Sequence, residues 1–145
     1  MKAILQTKYG SPDVLQFKEI DKPVVKEEEV LVEVRAAAVN IGDWHLLRGV
    51  PYAMRMVCGL RKPRRQVPGL DLAGQVEAVG AAVKQLRPGD EVFGWCKGAF
   101  AEHACAPEKN VLSKPVREWR DAEGWGILSA DAVPGDIFVH FSAPH

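Results

Sequence analysis

Residues 68–94 read PGLDLAGQVEAVGAAVKQLRPGDEVFG, and this stretch decides the fold. Two strand signals, DLAGQVEAVG (71–80) and DEVFGW (90–95), flank the turn RPGD (87–90), which carries proline at its second position. Gly69, Gly74 and Gly80 suit places where a strand turns sharply or another backbone passes closely. Downstream, AFAEHACAP (99–107) continues the strand signals. Upstream, EVLVEVRAAAVN (29–40) alternates valine and leucine with glutamate and arginine, the period of a half-buried strand. Further back, KAILQTKYG (2–10) and VLQFKEI (14–20) meet at the turn GSPD (10–13).

One segment breaks the strand pattern. In NIGDWHLLRG (40–49), Asn40 caps a short helix, Asp43 sits in its electropositive first turn and Gly49 ends it. Trp44 and Leu47 share a face of that helix. The following VPYAMRMVCGLRKPRRQVPG (50–69) holds Arg55, Arg61, Lys62, Arg64 and Arg65 with no acid among them. It reads as a solvated lid or surface loop with one helical turn over 52–58.

The chain has 145 residues, 47% hydrophobic and 26% charged, which fits one ordinary domain or one domain with an appendage. The zero net charge hides a split. Residues 1–115 hold 17 Lys+Arg against 14 Asp+Glu, a net +3, and residues 116–145 hold 2 against 5, a net −3. Cys58, Cys96 and Cys105 form no C-x-x-C pair and fit free thiols in a reducing compartment. The N-terminus has no apolar signal core and no run is long enough for a membrane span, so a cytoplasmic location without membrane contact is expected.

The motifs GSPDVLQFKEIDKPVVKEEEVLVEVRAAAVNIGDWHLLRG, PGLDLAGQVEAVGAAVKQLRPGDEVFG and GAFAEHACAPEKNVLSKP, in that order, cover nearly all of residues 1–115. Together they resemble the N-terminal domain of medium-chain dehydrogenases/reductases, in the zinc-independent, quinone oxidoreductase-like branch. The resemblance implies a GroES-like β-barrel over a cleft shared with a nucleotide-binding domain. It also implies NADPH as hydride donor and a small carbonyl or quinone as substrate. It places Asn40 near the nicotinamide ribose, with His45 and Tyr52 lining the substrate cleft. The residues themselves also allow a plainer reading: Asn40 as helix cap, His45 as a partly buried surface residue, Tyr52 as a loop anchor. No certain catalytic residue emerges. Asp43 and Asp71 are expected to brace the backbone.

In the zinc-dependent branch, a cysteine stands at the position of Asn40 and a histidine at that of Leu70. His103 and Cys105 supply two donors, short of the three that a catalytic zinc needs, and no zinc is expected. After Pro115 no strand–GxGxxG–helix unit follows to cradle a pyrophosphate. NADPH binding and hydride transfer by this polypeptide alone are therefore not expected.

A second pattern opens at Val116. VREWRDAEGWGIL (116–128) and VPGDIFVHFSA (133–143) resemble the first three strands of a cold-shock domain, a partial OB-type sheet. The resemblance makes Trp119, Trp125, Phe138, His140 and Phe141 candidates for stacking single-stranded bases. Glu118 and Ile127 depart from the aromatic positions of that family, and the segment is acidic, which weakens phosphate binding. Docking on the barrel, pairing with a second copy as a homodimer, or disorder is the favoured alternative. The chain then reads as a truncated reductase domain fused to a cold-shock-like fragment, with a structural or non-functional fusion as a further alternative. The expected fold is mainly β: a GroES-like barrel over 1–115 with one or two short helices, then a three-stranded partial OB-type sheet over 116–145.

Overall fold

A computed structural model of the chain describes residues 1–113 in full and, beyond them, the backbone of three further strands. The first hairpin joins β1 (Lys2–Gln6) to β2 (Leu15–Glu19), with a 3-10 turn over Pro12–Val14 at the bend. The expected turn at 10–13 lies here.

The main sheet comprises β3 (Glu29–Ala38), β4 (Asp71–Val79), β5 (Glu91–Trp95), β6 (His103–Pro107) and β7 (Val111–Ser113). Its strands are antiparallel in the order β6–β3–β4–β5–β7. The RPGD turn connects into β5 as expected, closed by Asp90 N donating to Arg87 O at 3.1 Å. β1 joins this sheet through Ala3, which bridges to Ala101, and through Ile4 N donating to Phe100 O at 2.9 Å.

The core collects Val30, Val32, Leu72, Val76, Leu86, Val92, Cys96, Ala104, Ala106 and Val111. β6 follows strict alternation, burying Ala104 and Ala106. β3 does not: Val30, Leu31 and Val32 are buried in succession. A half-buried strand has one wet face, but side chains alternate between faces, so three buried residues in succession mean that both faces of β3 are covered there. Gly74 explains how β4 approaches so closely, because a Cβ there would collide with the carbonyl oxygen of Glu33.

Two bulges interrupt the β3–β4 ladder. Leu31 pairs with Ala78 and Val32 with Val76, leaving Glu77 as an extra residue; Arg35 is the corresponding extra residue on β3. Glu77 accepts from Lys22 Nζ at 2.6 Å and lies 3.0 Å from His103 Nε2.

The strand pattern is interrupted by helix α1 (Ile41–Arg48), a 3-10 turn over Tyr52–Met54 and helix α2 (Arg55–Cys58). The helical turn expected over 52–58 is therefore present. Strands β8 (Val116–Arg120), β9 (Trp125–Ser129) and β10 (Asp136–His140) form an antiparallel sheet in the order β10–β9–β8. Trp125 registers with His140, Phe138 with Ile127 and Trp119 with Gly126. Phe141 lies outside the described residues.

Candidate functional site at the α1 end of the sheet

Register brings three segments to one end of the main sheet: Ala38 stands opposite Asp71, and Asp71 opposite Trp95. Asn40 joins them. Its Nδ2 donates to Asp71 Oδ2 at 2.6 Å, while its Oδ1 accepts from the amides of Gly42 and Asp43 at 2.7 and 3.2 Å. Asp43 Oδ2 returns the cap by accepting from Asn40 N at 3.0 Å. This reciprocal capping box satisfies helix-start amides that would otherwise lack partners. Asp71 thus braces the Asn40 side chain, a longer-range role than the local turn bond expected of it.

Asp43 is the buried side chain of α1, at 5% exposure. Burial raises its pKa, and the nearby Asp71 charge adds to that; the Asn40, Leu70 and Gly69 amides pull in the opposite direction. Its Oδ1 has no hydrogen-bond partner among the described residues. Trp44, by contrast, is 45% exposed. Its ring meets His45 edge-on, with centroids 5.1 Å apart, and Arg48 lies over it at 5.6 Å.

The other end of α1 is held by the N-terminal segment. Gln6 Nε2 donates to Leu47 O at 2.9 Å, and Gly10 N donates to the same oxygen at 3.1 Å. His45 Nδ1 is 3.0 Å from Val50 O, leaving Nε2 as the ring nitrogen for other contacts. Tyr52 is 72% exposed, with the Arg55 guanidinium 4.8 Å from its ring centroid. The same guanidinium stands 4.5 Å from the Tyr9 ring and donates through Nε to Gly49 O at 2.9 Å. Arg55 is therefore a structural rivet, unlike the other cations of its loop.

Asn40, His45 and Tyr52 all belong to this one segment, yet none of the hydrogen bonds or ring contacts among the described residues joins them to one another. Sequence reasoning missed Trp95. It is 47% exposed and stands opposite Asp71 across the β4–β5 ladder. The signal was the aromatic residue after Gly94 in DEVFGW, whose neighbours only strand register reveals. Exposed apolar residues on a segment that carries a few fixed polar groups suit an apolar ligand with a polar handle.

The start of α1 does not fit a dinucleotide's pyrophosphate. The first-turn amides of α1 are already engaged by Asn40, and the Asp43 carboxylate repels an anion there. One Asn40 Nδ2 hydrogen remains for a ligand beyond the bond to Asp71. His103 and Cys105 lie two apart on β6, but His103 Nε2 faces Glu77 and burial pushes the Cys105 thiol up to about 11. Burial likewise pushes Cys96 up to about 12, with Cys105 adding to the shift. Among the described residues, no three His, Cys, Asp or Glu side chains gather to share a metal ion.

The alcohol dehydrogenase GroES-like domain matches residues 26–116. A quinone oxidoreductase of Lama guanicoe is 37% identical over 119 residues, covering 79% of this chain and 34% of that protein. An NADPH-dependent alkenal/one oxidoreductase of Arabidopsis thaliana, chloroplastic, is 35% identical over 155 residues, covering 99% of this chain and 39% of the relative. The solved quinone oxidoreductase of Coxiella burnetii superposes with a TM-score of 0.68 at 27% identity, covering 79% of this chain and 37% of that one. The chain thus spans little more than a third of the length of these curated relatives. A capped helix set at the end of an antiparallel sheet, with the matched motifs in order, belongs to this architecture: the chain is a member of the alcohol dehydrogenase GroES-like domain family.

Proposed function

We propose that residues 1–115 form the substrate-side domain of a zinc-independent, NADPH-dependent reductase acting on small quinones or conjugated carbonyls. The observation that carries this reading is the Asn40–Asp71 hydrogen bond at the α1 end of the sheet, where strand register also sets Trp95 opposite Asp71. The Arabidopsis relative, named for NADPH and alkenals, supports the cofactor and substrate class. NADPH would supply hydride to an electrophilic carbon of the substrate. On this chain, Asn40 would offer its remaining N–H near the nicotinamide ribose, while His45 Nε2 and the Tyr52 hydroxyl orient the substrate oxygen. The start of α1 cannot seat a pyrophosphate and the chain spans little more than a third of these relatives, so we assign the nucleotide-binding domain to a part that residues 1–145 do not cover. The setting we infer is cytoplasmic; among the described residues no helix is long and apolar enough to cross a membrane.

The test is two-part. The chain alone should show no NADPH oxidation with a quinone, and measurable turnover would overturn the assignment of the nucleotide site elsewhere. An enone titrated into the chain should give saturable shifts at the Trp44 and Trp95 indole N–H resonances, weakened by Tyr52→Phe. Shifts confined to other residues would sink the substrate-side reading.

A second reading gives residues 116–145 to single-stranded nucleic acid or to a homodimer. The antiparallel meander β8–β9–β10 supports it, since a cold-shock-like front half needs three strands in this order, and β8 and β10 leave edges for a second copy. Against it, the alignment with the Arabidopsis reductase covers 99% of the chain. Salt-sensitive quenching of tryptophan fluorescence by oligo-dT would favour the nucleic-acid role; a concentration-dependent dimer in light scattering would favour pairing.

A further inference from the structure

We propose that the loop over residues 59–66 binds a phosphate-bearing small molecule, independently of the reductase reading. Leu60, Arg61, Lys62, Pro63, Arg64 and Gln66 line one open depression of about 600 Å³. Arg61, Lys62 and Arg64 are exposed, and none takes part in an ion pair among the described residues. Their neighbour Arg55 shows the contrast, because its guanidinium is fully engaged by Tyr9, Tyr52 and two carbonyls.

The loop is built, not loose. Arg64 N donates to Cys58 O at 2.8 Å, closing the loop at its neck. Gly59 N donates to Arg55 O at 2.8 Å, and Tyr9 Oη donates to Gly59 O at 2.7 Å. Gly59 has φ +122, and a Cβ there would strike the Lys62 carbonyl oxygen. Beyond the neck, Gln6 N donates to Gln66 O, fixing the exit to β1. Three cations held around one depression, with no acid in the loop, present an anion with several donors at once. The exposed Leu60 at the rim fits an apolar group attached to that phosphate.

Phosphate chemistry could come from a nucleotide or from an alkyl substrate. The probe is inorganic pyrophosphate, titrated into the full chain at low ionic strength and followed by amide shifts. Saturable shifts confined to residues 59–66 are expected, with affinity falling about tenfold for each of Arg61→Ala, Lys62→Ala and Arg64→Ala. Arg65→Ala, an exposed cation outside the lining, should change affinity less than about twofold. Hexyl diphosphate binding more tightly than adenosine 2′,5′-bisphosphate identifies the alkyl source through Leu60; the reverse order identifies the nucleotide. Absence of saturation at millimolar pyrophosphate, or equal loss with Arg65→Ala, overturns the proposal. Binding to phosphatidylserine vesicles without pyrophosphate binding overturns it in favour of a membrane surface. Enone binding at the Trp44–Trp95 end would be untouched by any of these results.

Discussion

Around β3 the chain buries valines. Val30, Val32 and Val76 are fully covered, and alanines of β6 close the layer behind them. Between Val39 and Gln66 the order is inverted: the buried non-glycine residue is Asp43, while Tyr52, Met56, Val57 and Leu60 face solvent. One region owes its position to apolar area removed from water, the other to capping, carbonyl anchors and guanidinium stacking. Hydrogen bonds between fixed partners define geometry with little burial, which leaves apolar side chains free to meet a ligand. The division separates what holds the domain together from what can bind.

The sharpest way to break the sheet half is Gly74→Ala. The added Cβ meets backbone, not a movable side chain, so β3 and β4 must separate. A loss of about 3 kcal/mol or more is expected in urea unfolding, the upper range for overpacking. Retention of wild-type stability would show that the ladder relaxes at its neighbouring bulge. Val76→Ala is milder: removing two buried carbons should cost about 2 kcal/mol, with little change at the α1 end.

The two regions also differed in how far they could be read from residues alone. Alternation in EVLVEVRAAA and the turn residues of RPGD mark strands because their signals are local. Asn40, Asp43 and Gly49 mark α1 for the same reason, and the structure places all three as expected. Trp95 escaped because its partner Asp71 lies on another strand, and only register brings the two together. Arg55 looked like one more loop cation because its partner Tyr9 comes from the first hairpin's approach, far back in sequence. The bulge at Glu77 was equally hidden, since it depends on which residues β3 sets opposite it. Beyond residue 113, β8, β9 and β10 form an antiparallel meander, a strand order that carries no cold-shock identity by itself.

Asn40→Ala probes the other half. It removes the acceptor for two helix-start amides and the bridge to Asp71, so a loss of about 1–2 kcal/mol is expected. The effect should be local: hydrogen exchange should rise through Ile41–Arg48 while amides of β3 and β6 stay protected. A uniform rise across the sheet would mean that α1 and the core open as one unit, and the comparison above would fail.

Asp43→Asn should have the smallest effect and the most informative sign. Burial raises the Asp43 pKa in the folded state above its ordinary value, so the native chain holds this proton to higher pH than the unfolded chain does. Between those two values the unfolded state binds fewer protons, and stability contributed by this group falls as pH rises. Below the ordinary carboxylate range, near about 4, both states are protonated and the penalty is absent; above the raised value it is fully present. Asparagine cannot ionise yet still offers an oxygen to the Asn40 amide, so the cap survives. Denaturant midpoints measured from mildly acidic to neutral pH should therefore fall less steeply for Asp43→Asn than for the wild type. A steeper fall in the single variant would mean that the Asn40, Gly69 and Leu70 amides outweigh burial, and that Asp43 is held as a stabilised anion at the start of α1.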